Sequence, residues 1–328
     1  MPRTAVKILE AKIGIQSNKK ECLLRFPSAK EVESLLTDFR CVDECPFSSY
    51  LDGYIVIKDT DSEPSYKISG SKVLFRGPFT RLSKKAADKR FTLWGNQGFL
   101  YRYALYILEK YHGILNLHAC VLYHENKDIL YVITGGPGSG KTVFLLSGLQ
   151  KGLKLFSTET AHVRADGKDM TWFKGPLLDN IRWGTLIHDF PEYLPEKTSL
   201  SPEKAWTSKV ALDLSPFQTE TDKISNPQEI HIIFPRIEEG RKKCFLNPIK
   251  NMKEAAKKLF DNISQKLTET VVLYDSFPVL GLDEQELAIL RLAAVDRLLR
   301  HPSIKKVASM LSTPKKCWES LFTTAEES

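Results

Sequence analysis

The hydrophobic and polar positions of this chain change period several times, and each change marks a different kind of element. Through residue 90 the apolar runs are short. Val6-Lys7-Ile8-Leu9, Tyr54-Ile55-Val56-Ile57 and Lys72-Val73-Leu74-Phe75 are divided by polar turns such as Asp59-Thr60-Asp61-Ser62-Glu63-Pro64. Runs of this length bounded by turn residues read as strands. They predict a small β-rich N-terminal domain over residues 1–90, with one helix near Ala29 to Phe39. The charged stretch from Lys84 to Arg90 marks its end. The period then lengthens: Leu100, Tyr103, Ala104, Ile107 and Leu108 form one stripe of a helix from Gln97 to Tyr111, which Gly113 closes.

Strands are expected at Leu115 to Leu122, Ile129 to Thr134 and Leu153 to Phe156, the first two joined by a turn from His124 to Asp128. From Gly167 to Lys223 no period holds, apart from a hairpin turn at Asp166-Gly167. Glu229 to Pro235 reads as a strand. Asn251 opens a helix with Ala255, Ala256, Leu259, Phe260, Ile263 and Leu267 on one face, and Glu254 stands at the capping-box spacing. Asp283 and Glu286 open another helix running to about Arg300. The alternation of strands and helices places residues 91–270 in the α/β class, followed by a C-terminal helical extension over 271–328. The segment from Pro302 to Leu311, with Thr313-Pro314-Lys315-Lys316 after it, loosely suggests a helix-turn-helix. A helical cap is the simpler reading.

Composition narrows the function classes. The formal charge is +7, yet Lys and Arg are spread along the chain, so no tract marks a nucleic-acid surface. Such a surface also suits a protein that handles phosphates. No apolar stretch reaches membrane-spanning length, and Met1 to Lys7 lacks the apolar core of a secretory signal. A cytoplasmic protein with reduced thiols is expected. Of the six cysteines only Cys41 and Cys45 lie close, with no second Cys or His pair to complete a metal site.

The strongest chemistry lies in Gly135-Gly136-Pro137-Gly138-Ser139-Gly140-Lys141-Thr142, which fits G-x-x-x-x-G-K-[ST] between an expected strand and an expected helix. Glycines let backbone N–H groups turn toward phosphate oxygens, and the helix N-terminus adds a favourable dipole. Lys141 would reach the β- and γ-phosphates of ATP, and the Thr142 hydroxyl would hold Mg²⁺. The metal also needs a carboxylate. Two candidates exist: Asp275, ending Val271-Val272-Leu273-Tyr274-Asp275, and Glu159, ending Ser157-Thr158-Glu159 after the loop's helix. They imply different folds.

Lys141, Gly152 and Thr158-Glu159 stand at spacings that resemble those of bacterial HPr kinase/phosphorylase-like proteins, a P-loop branch similar to phosphoenolpyruvate carboxykinase. His118, in Leu115-Asn116-Leu117-His118-Ala119-Cys120, matches a histidine in the family's strand before the loop. The segment Ile232 to Gly240, then Asn247-Pro248 and the Glu254-Ala255-Ala256 helix, is similar to kinase-like members. The likeness is specific over about residues 115–160 and collinear to about 265. It implies a P-loop core of the HPr kinase/PEP carboxykinase-like type. It also implies ATP-dependent phosphoryl transfer to a serine-type or small-molecule hydroxyl, with Thr142 and Glu159 on Mg²⁺ and His118 facing the acceptor. Where the family carries an acidic pair this chain has Thr158-Glu159, so the acid that serves as base is replaced, and the segment tied to phosphorolysis is not recognisable. Arg182 and Arg236 are further candidates for phosphate contact. The alternatives are a catalytically weakened nucleotide-binding regulator and a DNA-associated P-loop NTPase. A homo-oligomer is compatible with each.

Overall fold

The computed structural model describes residues 1–23, 39, 42–47, 50–194, 204–238, 240 and 244–322. It is a mixed α/β structure in two compact units, neither continuous in sequence. One comprises Met1–Asn116 and Ile263–Ala294, the other Leu117–Asn262 and Val295–Ser328.

The first unit opens with β1 (Arg3–Ile8), β2 (Ala11–Ser17), β3 (Val42–Glu44), β4 (Gly53–Asp59), β5 (Ser65–Ser69) and β6 (Lys72–Gly77), which form one sheet in the order β3-β1-β2-β4-β6-β5. The three runs expected as strands fall on β1, β4 and β6, with Leu9 just beyond β1 in a turn, and β2, β4 and β6 run parallel. All of the helix expected near Ala29 to Phe39 except Phe39 itself, and Cys41, lie outside the described residues. After α1 (Phe79–Lys85) comes α2 (Phe99–His112), buried from Phe99 to Glu109 and ended by Gly113 at φ +62°. Phe75 meets Phe99 edge-on at 4.7 Å and Phe79 at 5.8 Å, geometry that aromatic quadrupoles favour. β7 (Ile114–Leu117) ends this stretch.

The second unit carries β8 (Ala119–His124), β9 (Ile129–Thr134), α3 (Lys141–Gln150), β10 (Lys154–Ser157), β11 (Ala161–Asp166), β12 (Asp169–Phe173), β13 (Leu178–Arg182), α4 (Trp183–Asp189), β14 (Lys209–Asp213), β15 (Lys223–Ser225), β16 (Glu229–Ile237) and β17 (Phe245–Pro248). Among its described residues the segment that lacked periodicity carries the short strands β12 to β15 and the helix α4. Asp166-Gly167 is the expected hairpin turn, with Asp166 opposite Asp169 and Gly167 at φ +61°. α5 (Met252–Thr268) begins where Asn251 Oδ1 accepts the Lys253 N–H at 3.0 Å. No helix among the described residues is long and apolar enough to cross a membrane.

One candidate and one expectation for the last third are overturned. Val271 to Asp275 does not join the sheet beneath the glycine loop. It forms β18 (Val271–Leu273), paired among the described residues only with β19 (Phe277–Val279), and Tyr274 and Asp275 make a tight turn at φ +53° and +64°. Asp275 belongs to the first unit and accepts the Ala87 N–H at 3.2 Å. α6 (Gln285–Arg300) is helical as expected. The tail beyond Pro302, however, is neither helix-turn-helix nor helical cap: Ile304–Ser312 is β20, and only Glu319–Phe322 (α7) is helical after it among the described residues. β20 lies between β16 and β17 in the order β10-β8-β9-β16-β20-β17, parallel to β16. Its inward positions Ala308, Met310 and Ser312 alternate, and this long-range pairing overrides the local spacing of Ile304, Val307, Ala308 and Leu311.

β9 is buried along its whole length, between β8 and the parallel β16. Phe144, Leu145, Leu146 and Leu149 of α3 cover this sheet together with Trp318, whose indole N–H donates to the Phe144 carbonyl at 2.9 Å. Gly148 admits the contact: a Cβ there would stand 2.3 Å from Leu122 Cδ1 and 2.9 Å from Trp318 Cζ2. These contacts fix the start of α3 over the C-terminal end of β9, where the glycine loop emerges.

Candidate functional site

The loop from Gly135 to Gly140 links β9 to α3. Gly138 and Gly140 take φ +79° and +104°, open only to glycine at low cost. Gly140 is also confined, since a Cβ would lie 2.2 Å from Ile237 Cγ1, and the Ile237 N–H donates to the Ser139 carbonyl at 3.3 Å. β16 therefore holds the loop in place. The N–H groups of Gly138, Gly140, Lys141 and Thr142 find no acceptor among the described residues, and the Ser139 hydroxyl is buried without a partner. Four donors at a helix N-terminus make a cradle for an anion.

The Lys141 ammonium bridges the carbonyls of Gly135 at 2.7 Å and Gly136 at 3.2 Å. Burial pushes its pKa down, against the pull of Cys120, Glu159 and Asp179. Beneath it, the Cys120 thiol donates to the Lys141 carbonyl at 3.4 Å.

Thr142 points its hydroxyl at Asp179 Oδ2, 3.3 Å away. Asp179 lies on β13, where Asp179 and Ile181 face inward and Leu178, Asn180 and Arg182 outward. It is 8% exposed, and burial, with the Glu159 carboxylate second, lifts its pKa to about 6. Sequence reasoning missed this residue. The available signal was an acid sharing the inward parity of Ile181 in Leu177-Leu178-Asp179-Asn180-Ile181, a charge on a buried strand face.

Glu159 follows β10 with its side chain half exposed, and its Oε1 stands 3.8 Å from His118 Nε2. His118 is not inside a strand, as its apolar neighbours suggested, but in the break between β7 and β8. Asn262 of α5 holds that break: its Oδ1 accepts the His118 N–H at 2.9 Å and its Nδ2 donates to the His118 carbonyl at 3.2 Å. Thr134 Oγ1 reaches the same carbonyl at 3.4 Å.

Thr158, standing where an acid was expected, is a structural clamp. It is 3% exposed, and its hydroxyl faces the carbonyls of Leu178 at 2.7 Å and Pro176 at 3.1 Å. The Thr158 N–H also donates to the Pro176 carbonyl, at 2.9 Å, so this turn fastens the end of β10 to the start of β13 and sets Glu159 and Asp179 side by side.

Of the sequence candidates, the loop, Lys141, Thr142, Glu159 and His118 are brought to one place, and Asp275 is not. Arg182 is exposed at the end of β13, and Arg236 is 77% exposed and paired with Glu238 at 2.9 Å. Among the described residues neither arginine makes a hydrogen bond or ion pair to the cluster. Among the described residues no three His, Cys, Asp or Glu side chains form a closed metal cage. That absence does not conflict with Mg²⁺, which is commonly held by one or two carboxylates and completed by substrate phosphates and water. The Thr142 hydroxyl beside the Asp179 carboxylate is a donor set of that kind. No protein-family model matches the chain, and no curated protein matches it either.

Proposed function

We propose that this chain is an ATP-dependent phosphotransferase of the HPr kinase-like type, with a P-loop core and a hydroxyl acceptor. The observation that carries the reading is the meeting of Thr142 and Asp179 at the end of the glycine loop, beside Lys141 and Glu159. The free N–H groups of the loop bind the β-phosphate, and Lys141 leaves the Gly135 and Gly136 carbonyls for the β- and γ-phosphates. Asp179 and Thr142 would hold Mg²⁺, with Glu159 as a second carboxylate, and the ion when bound would supply positive charge for the phosphates. The acceptor oxygen attacks the γ-phosphorus as the β–γ bridging bond breaks and ADP leaves. Its proton passes to His118 Nε2, with the other ring proton on Nδ1, and Glu159 stabilises the imidazolium from 3.8 Å.

A second reading, a nucleotide-binding regulator with little catalysis, is favoured by Thr158, whose hydroxyl is committed to backbone carbonyls and cannot act as a base. Labelled ATP, offered to the purified chain with serine-bearing small molecules and cell extract, separates the two. The kinase reading expects slow transfer, a loss of about 10²–10⁴-fold in His118→Ala with ATP binding retained, and loss of ATP binding in Lys141→Ala. ATP binding without transfer to any acceptor, unchanged by His118→Ala, would establish the regulator. Full ATP affinity in Lys141→Ala would remove both.

A further inference from the structure

The first unit holds a second concave site. A cavity of about 330 Å³ is bounded by β4, the turn after it and α1, and its lining includes Lys19, Asp59, Asp61, Arg81, Lys84 and Lys85. That volume lies at the lower end of the small-molecule range. Two of these residues neutralise one another. Asp59 is 5% exposed, and its carboxylate receives the Lys19 ammonium at 2.6 Å, the Thr80 N–H at 3.1 Å and the Thr80 hydroxyl at 3.0 Å. Its backbone is gripped as well: the Asp59 N–H donates to Asn18 Oδ1 at 2.8 Å, and Asn18 Nδ2 donates to the Asp59 carbonyl at 3.0 Å. The floor is therefore rigid and carries no net charge.

The remaining charges are unequal. Arg81, Lys84 and Lys85 sit at positions i, i+3 and i+4 of α1, so they share one face, and all three are exposed. Neighbouring like charges at this spacing destabilise a helix. No acid offsets them among the described residues: none of the three makes an ion pair or a side-chain hydrogen bond. Asp61 is the one unneutralised acid in the lining. Three mutually repelling cations around a preformed concavity are a cost that a small dianion would relieve.

We infer that this cavity binds a dianionic phosphate group, either a small phosphomonoester or free phosphate, separately from the glycine loop. Arg81 offers the bidentate fork, with Lys84 and Lys85 as point charges. A polyanionic strand or an acidic membrane would need a continuous basic face, whereas these cations converge on a cavity of small-molecule size.

The test is calorimetric titration of the full chain carrying Lys141→Ala, which removes the loop's cation, with glycerol 3-phosphate and, in a second arm, inorganic phosphate. Saturable one-site binding is expected in at least one arm, and the arms identify the source. Replacing Arg81, Lys84 and Lys85 together by Gln should weaken it at least tenfold. Asp61→Asn should tighten it severalfold, and raising the salt should weaken it. Should the triple variant fail to fold, Lys84→Gln alone, at an exposed site, should still weaken binding about threefold. Affinity unchanged in these variants, weaker binding in Asp61→Asn, or saturable binding only of duplex oligonucleotide or phosphatidylserine vesicles would overturn the inference.

Discussion

Asp179→Asn tests whether the buried carboxylate beside Thr142 is kept for binding at the expense of stability. Burial and the neighbouring Glu159 raise its pKa from 3.8 to about 6. The fold therefore favours the protonated acid. The stability this brings is fully present below the unfolded value and is lost as pH rises through about 6. The displacement corresponds to about 3 kcal/mol in the fully ionised range. Asn is neutral at every pH, nearly isosteric, and its Oδ1 can still accept the Thr142 hydroxyl. Without nucleotide or divalent metal, Asp179→Asn should be more stable than the parent by about 1–3 kcal/mol at pH 7.5, a gap that closes toward pH 4. Urea unfolding at pH 4.5, 6 and 7.5 measures it. Mg·ATP at a hundred times its Kd should add about 2.7 kcal/mol to the parent, and the variant should lose the Mg²⁺-dependent part. A variant less stable than the parent at pH 7.5, or one that keeps the whole Mg·ATP gain, would refute this account of Asp179.

Gly140→Ala forces a Cβ to 2.2 Å from Ile237 Cγ1 at φ +104°; it should cost about 1–3 kcal/mol of stability and weaken ATP at least tenfold by calorimetry, with Ile237→Ala restoring only part. Thr158→Asp should not restore a catalytic acid, because its carboxylate would face the Pro176 and Leu178 carbonyls; a loss of about 1–3 kcal/mol in urea unfolding is expected, with no rise in transfer rate. Arg291→Met removes a fully buried guanidinium that bonds Glu109 at 2.8 Å and both oxygens of Asp283. It should cost about 3–5 kcal/mol at pH 8, less as pH falls and Glu109, already lifted by burial to about 7, takes a proton.

What the sequence made legible followed from strong local periods. β9, the glycine loop and the start of α3 were readable because a buried strand, a glycine cluster and a helix follow one another within 22 residues, from Ile129 to Gln150. α2 and α5 were readable because an unbroken stripe spans several turns. β20 was not, since its apolar residues fit a helical stripe and only pairing with β16 across more than 60 intervening residues decides otherwise. Val271 to Asp275 had the composition of a central strand, yet the left-handed turn at Tyr274-Asp275 ends it after three residues. Asp179 escaped notice because β13 is five residues long, too short for its alternation to stand out in a segment without a period. Thr158 looked like a lost catalytic acid until its two carbonyl partners gave it a fastening role.

The interleaving of the two units constrains the order in which the chain can mature. The first unit needs residues up to Ala294, and Phe277, which closes its aromatic core against Phe75 and Phe79, is synthesised some 200 residues after them. The second unit needs β20, at Ile304–Ser312, to fill the place between β16 and β17. At a translation speed of about 5–20 residues per second, β1 to β6 would wait on the order of ten seconds or more for the residues that complete their unit. Neither unit can finish while its C-terminal segment is still in the ribosome, so both close late and nearly together. A chain cut anywhere between Asn116 and Ala294 would leave both units open, exposing sheet faces that the whole protein buries.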